Sequence, residues 1–84
     1  MINILVVEDD EKLNQIICSY LVKNNYQAAG CRNPVEAYNL IFSETYDLII
    51  SDIMMPQING FDFAKEIRKK NAAIPILFIT ALDA

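Results

Sequence analysis

The sequence predicts an α/β domain, a parallel β-sheet with helices on both faces. Ile4-Leu5-Val6-Val7, Leu48-Ile49-Ile50-Ser51 and Ile76-Leu77-Phe78-Ile79 are short apolar runs without the polar alternation of a half-solvated strand, so they read as strands buried on both faces. Stretches with apolar residues at helical spacing lie between the runs. The resulting order β-α-β-α-β-α-β calls for parallel strands joined by right-handed crossovers. Each run also ends at side chains suited to phosphate or metal chemistry: Glu8-Asp9-Asp10, Asp52 and Thr80. In open parallel sheets, ligands bind beyond the carboxyl ends of the strands.

The elements follow in order. Ile2–Val7 is the first strand. Asp10–Lys23 carries Leu13, Ile16, Ile17, Tyr20 and Leu21, the stripe of a helix with one buried face. Asn24-Asn25 punctuates, and Tyr26–Cys31 is a weaker, less buried strand. Asn33-Pro34-Val35-Glu36 is a helix start: Asn33 can cap, Pro34 suits the first helical position, and Glu36 sits where a capping-box carboxylate reaches back. That helix runs to about Glu44 with Tyr38, Ile41 and Phe42 inward; Tyr20, Tyr38 and Phe42 all read as core. Asp47–Ser51 is the third strand, ending at Asp52. Residues 54–60 form a loop in which Pro56 stiffens the chain and Gly60 permits a tight turn before the helix Phe61–Lys70. Phe63, Ala64 and Ile67 are that helix's core stripe, and Ile76–Thr80 is the fourth strand.

Composition excludes several function classes. Eighty-four residues make one small domain, and no apolar run approaches the roughly 20 residues of a membrane-spanning helix. With no signal-like N-terminus, a soluble cytoplasmic location with no membrane partner is expected. A net charge of −4 argues against direct nucleic-acid binding by this segment. The one basic cluster, Lys65, Arg68, Lys69 and Lys70, reads as a dipole-matched helix C-terminus. The chain has no histidine, and Cys18 and Cys31 lack metal-binding spacing. Zinc sites and Ser-His or Cys-His catalysis are therefore excluded, and both thiols read as ordinary half-buried residues.

The acidic set has a definite chemistry. Glu8, Asp9 and Asp52 brought within a few ångströms would repel one another, and a hard divalent cation relieves that repulsion. Mg²⁺ is satisfied by two carboxylates, a backbone carbonyl and waters. A carboxylate beside the metal can also act as a nucleophile toward phosphorus, because it is already ionised and needs no general base. Thr80 could hydrogen-bond the transferred group. Alone, Asp9, Asp10 and Glu11 are equally an acidic helix N-terminus and Asp52 a turn former; it is the strand ends taken together that favour the site.

These residues resemble a known family. Ile4-Leu5-Val6-Val7-Glu8-Asp9-Asp10, then Ser51-Asp52-Ile53-Met54-Met55-Pro56 with Asn59-Gly60-Phe61, then Phe78-Ile79-Thr80-Ala81 strongly resemble the receiver domain of bacterial two-component response regulators. The resemblance spans the whole chain. It implies a flavodoxin-like (CheY-like) doubly wound sheet of strand order 2-1-3-4, with residues 1–84 forming the N-terminal two-thirds of the domain. It implies that Asp52 is the phosphoacceptor for a sensor histidine kinase. Asp9, Asp52 and the Met54 backbone carbonyl would hold Mg²⁺ or Mn²⁺, and Glu8 would reach it through water. Thr80 is implied as the switch hydroxyl, with Ala81 the small residue beside it. The protein would be a regulator and not an enzyme, its own chemistry limited to Mg²⁺-dependent self-phosphorylation and dephosphorylation. Its parent would carry a DNA-binding output domain.

The sequence departs from the family at its C-terminus. Receiver domains continue through a fourth helix, a fifth strand bearing a phosphate-pairing Lys, and a fifth helix, and none of these has a counterpart here. Impaired phosphorylation is therefore expected, as is self-association through an exposed fourth strand. A receiver-like module that self-associates without being phosphorylated is the main alternative. A haloacid-dehalogenase-like phosphatase would need an acid at Met54, and a dinucleotide binder would need a glycine loop that Gly30 and Gly60 cannot make.

Overall fold

A computed structural model gives the structure of the chain and describes residues 1–53 and 60–79. The elements are β1 (Asn3–Val7), α1 (Glu11–Lys23), β2 (Gln27–Cys31), α2 (Pro34–Ser43), β3 (Leu48–Asp52), α3 (Gly60–Lys70) and β4 (Ile76–Ile79). The four strands form one parallel sheet in the order β2-β1-β3-β4, as the resemblance implies. β1 is central and almost wholly buried, whereas β2 lies at an edge and is partly exposed, which accounts for its weaker apolar pattern.

The sheet's two faces carry separate cores, because successive side chains of a strand point to opposite sides. Leu5, Val7, Cys31 and Ile49 pack with Ala37 of α2 and with Phe63 and Ile67 of α3. Tyr38 and Phe63 bring their rings to 5.6 Å between these two helices. On the other face Ile4, Val6 and Ile50 pack with Leu21 of α1, with Ile17 and Cys18 alongside.

The ends of the helices follow local chemistry. Asp10 caps α1 by accepting from the Leu13 amide, so it precedes the helix instead of opening it. Asn33 caps α2 by accepting from the Glu36 amide at 2.9 Å. The Glu36 carboxylate answers the Asn33 side chain and not its backbone. Asn24 ends α1, and Asn25 takes the left-handed conformation (φ 68°) that asparagine tolerates better than most residues. The basic end of α3 behaves as expected: Arg68 donates to the carbonyls of Ala72 and Ile74 beyond the helix, and Lys69 pairs with Glu66.

Three predicted core residues are not core. Ile16 is 60% exposed, Tyr20 67% and Phe42 72%. In α1 the inward row is Asn14, Ile17, Cys18 and Leu21, one residue away from the row of largest apolar side chains. The polar Asn14 wins an inward position because two strand-end carbonyls await its amide. Phe42 lies at the rim of α2, where the Lys70 ammonium stacks on its ring. Gly60 is the first residue of α3, and no glycine among the described residues has positive φ; the loop that carries the expected turn lies outside the described residues.

Candidate metal and phosphoryl site

Parallel pairing brings the acidic residues to one end of the sheet. Val7 is in register with Ser51, so the chain leaves β1 at Glu8 directly beside Asp52 at the end of β3. On the far side Asp52 is in register with Ile79, and the Ile53 amide donates to the Ile79 carbonyl at 3.0 Å. The carboxylates of Glu8, Asp9 and Asp52 each offer an oxygen, and these oxygens lie within 4.8 Å of one another. These are three of the four residues expected from the sequence to converge; the fourth, Thr80, lies outside the described residues.

The run Glu8-Asp9-Asp10 divides its work. Asp10 caps α1, Asp9 is exposed at the rim, and Glu8 is 1% exposed. Glu8 Oε2 accepts from the Asp10 amide at 3.2 Å, while Oε1 is buried with no hydrogen-bond partner. Burial, reinforced by a hydrogen bond to the Asp9 carboxyl and by the charges of Asp52 and Asp9, pushes the Glu8 carboxyl up to about 7. A sealed, unpartnered carboxylate oxygen against two further carboxylates is the donor set of a hard divalent cation. The residues present therefore fit Mg²⁺ or Mn²⁺.

Of the other residues singled out in the sequence, Met54, Pro56, Thr80 and Ala81 lie outside the described residues. The thiols behave as ordinary ones. Cys31 and Cys18 pack on opposite faces of the sheet, and burial, with a smaller contribution from Glu36, pushes the Cys31 thiol up to about 12.

One buried polar residue near the site has no sequence signal. Asn14 is 8% exposed, and its amide donates to the backbone carbonyls of Glu8 at 3.0 Å and Cys31 at 2.9 Å. An asparagine amid Leu13, Ile17, Cys18 and Leu21 could be flagged as a polar break in an apolar stripe, but its partners could not be read from the sequence.

Comparison with known proteins agrees with this geometry. The sequence matches the family described as "Response regulator receiver domain" over residues 4–84. It is 39% identical over 80 residues to the transcriptional regulatory protein RprY of Bacteroides fragilis, covering 95% of this chain and 34% of that protein. It is 37% identical over 79 residues to the transcriptional regulatory protein CusR of Escherichia coli, covering 94% of this chain and 35% of that protein. The chain thus spans about a third of the length of these relatives. Among solved structures, the response regulator TrrA of Thermotoga maritima, crystallised with Mg²⁺-BeF, superposes with a TM-score of 0.90 at 38% identity, over 99% of this chain and 72% of that one. The same regulator in complex with the histidine kinase ThkA gives a TM-score of 0.90 over 100% of this chain and 72% of that one. Family match, strand order and acidic rim coincide, and the chain belongs to the response regulator receiver family.

Proposed function

We propose that this chain is the phosphoacceptor part of a cytoplasmic two-component response regulator, taking a phosphoryl group onto Asp52 from a histidine kinase. The observation that carries this reading is the Glu8, Asp9 and Asp52 cluster at the carboxyl ends of two adjacent parallel strands. Asp9 and Asp52 would hold Mg²⁺ (or Mn²⁺), with Glu8 through water and the Met54 carbonyl as a further ligand. The ion would supply charge neutralisation for the phosphoryl oxygens.

The work of the residues themselves is positioning. The Asp52 carboxylate, fixed at the end of β3, attacks the phosphorus of a phosphohistidine. An O–P bond forms as the N–P bond breaks, and the imidazole leaves with the electron pair. Glu8 and Asp9 bring further carboxyl oxygens to the rim beside Asp52. Thr80 and Ala81 are proposed to meet the transferred group. The likeness to RprY and CusR supports a DNA-binding parent, and the ThkA complex of TrrA supports a kinase partner.

The test is exposure to a small phosphodonor in Mg²⁺, followed by intact-mass measurement. One phosphoryl group is expected, and it is lost in Asp52→Asn and on chelation. Modification that persists in Asp52→Asn overturns the assignment.

A second reading is favoured by the apolar surface around β4, where Leu77 is 53% exposed and β3 is the sole strand partner among the described residues. On that reading the chain is an interaction module that self-associates through β4. A chain that self-associates and does not bind Mg²⁺ would favour the second reading over the first.

A further inference from the structure

We infer that Asn14 and Gly30 act together as a clamp that positions the acidic rim for its cation, with Asn14 a positioning residue and Gly30 the space it requires. The inference rests on the metal-site reading above and adds residues from α1 and β2 to it.

The register of β1 with β2 ends at the pair Val7 and Cys31. The Glu8 amide makes the last bond, to the Cys31 carbonyl at 3.0 Å. The two N–H bonds of the Asn14 amide then take the Glu8 carbonyl and, as a second donor, the Cys31 carbonyl. Cys31 therefore keeps a donor if Asn14 is removed, whereas Glu8 loses the one described here. The Glu8 carbonyl belongs to the same planar peptide as the Asp9 nitrogen. Fixing that oxygen fixes the plane from which the Asp9 side chain departs, as well as the backbone of Glu8 itself. Both acids of the first strand end are thus oriented by one buried amide. Mg²⁺ demands near-ideal octahedral geometry, so a rim held this way binds it better than one free to tilt.

The amide fits only because of what β2 lacks. Gly30 pairs with Val6 and faces α1. A Cβ built there would lie 2.2 Å from Asn14 Oδ1, 3.1 Å from its Cγ and 3.2 Å from Cys18 Sγ. Gly30 does not have positive φ, so glycine is required by space and not by conformation. The far end of the amide is also held, since the Cys18 thiol donates to Oδ1 at 3.4 Å. Any side chain at 30 displaces the amide as a unit and pulls its nitrogen from both carbonyls.

The experiment is calorimetric Mg²⁺ titration of the 84-residue chain and four variants, with thermal melts in parallel. Asn14→Ala and Gly30→Ala should each bind Mg²⁺ about 10-fold more weakly, the loss typical of removing a residue that orients metal ligands. The double variant should be no weaker than Asn14→Ala by more than about twofold, because without the amide a methyl at 30 meets only the Cys18 sulfur at 3.2 Å, which needs to give by only a few tenths of an ångström. Leu21→Ala, buried on the same helix away from the rim, should lower the melting temperature and leave Mg²⁺ affinity intact. If Asn14→Ala does not fold, Asn14→Ser, whose hydroxyl can reach one carbonyl, should show a smaller loss in the same direction. Wild-type affinity in folded Asn14 and Gly30 variants overturns the clamp alone. Absence of Mg²⁺ binding by the wild-type chain overturns the site reading and the clamp with it.

Discussion

The two faces of the sheet are built from the same strands and differ in their cover. One face lies under α2 and α3 and buries Phe63, Ile67, Tyr46 and Ile74 against Leu5, Val7 and Ile49. The other lies under α1 alone among the described residues, and there Leu77, in register with Ile50, stays exposed, as do Ile16 and Tyr20 of α1. The strand alternation that puts Ile4, Val6 and Ile50 on the α1 face continues to Glu8 and Asp52. The acidic rim therefore sits at the end of the face that is more thinly covered among the described residues, while the sheet is anchored from the other. Regions that bind and switch are drawn from the less stable parts of a fold, and this division lets the rim adjust without unmaking the core.

Core truncation gives the largest contrast. Phe63→Ala empties a fully buried site and should cost about 3–5 kcal/mol in urea-unfolding stability, enough to unfold a small domain. Leu21→Ala on the α1 face should cost less, at the low end of the leucine range, about 2 kcal/mol. Equal losses would break the distinction between the faces.

The rim adds a pH dependence between those two effects. The Glu8 carboxyl, raised from 4.5 to about 7, keeps in the folded state a proton that the unfolded chain releases near 4.5. Stability is then greatest below about 4.5 as far as this group is concerned. It falls as pH rises toward 7, by up to about 3 kcal/mol. Glu8→Gln should flatten that window, and saturating Mg²⁺ should restore stability above pH 7. A profile unchanged by either would detach Glu8 from the site.

The smallest effect on stability is also the sharpest test of the open face. Leu77→Lys should change stability by no more than about 0.5 kcal/mol, since the side chain is half exposed. On the reading in which the chain pairs through β4, it should nevertheless reduce self-association measured by light scattering. A large destabilisation would mean that this face is packed as tightly as the other.

Much of this was legible in the sequence, for local reasons. The Asn33-Pro34-Glu36 start acts within one helical turn, and the alternation of elements needs no long-range knowledge. The meeting of Asp9 with Asp52 follows from strands that are parallel and adjacent. Asn14 was not legible, because its value lies in carbonyls 6 and 17 positions away. Nor were the exposed Ile16 and Tyr20, since the half of a broad apolar stripe that turns inward depends on how many helices share the face. Local caps are written in neighbouring letters, whereas rotation of a helix about its axis is decided by the sheet beneath it.

The central place of β1 also bears on how the chain is made. β1 leaves the ribosome before either strand that flanks it, with Ile4 facing Ala28 on one side and Leu48 on the other. Until translation has passed Asp52, a strongly apolar strand has at most one neighbour. Parallel pairings of this span close slowly, and the waiting intermediate is prone to stick to others. Pausing codons or chaperone contacts placed between β2 and β3 would accordingly act on the yield of native protein more than the same devices placed after β3.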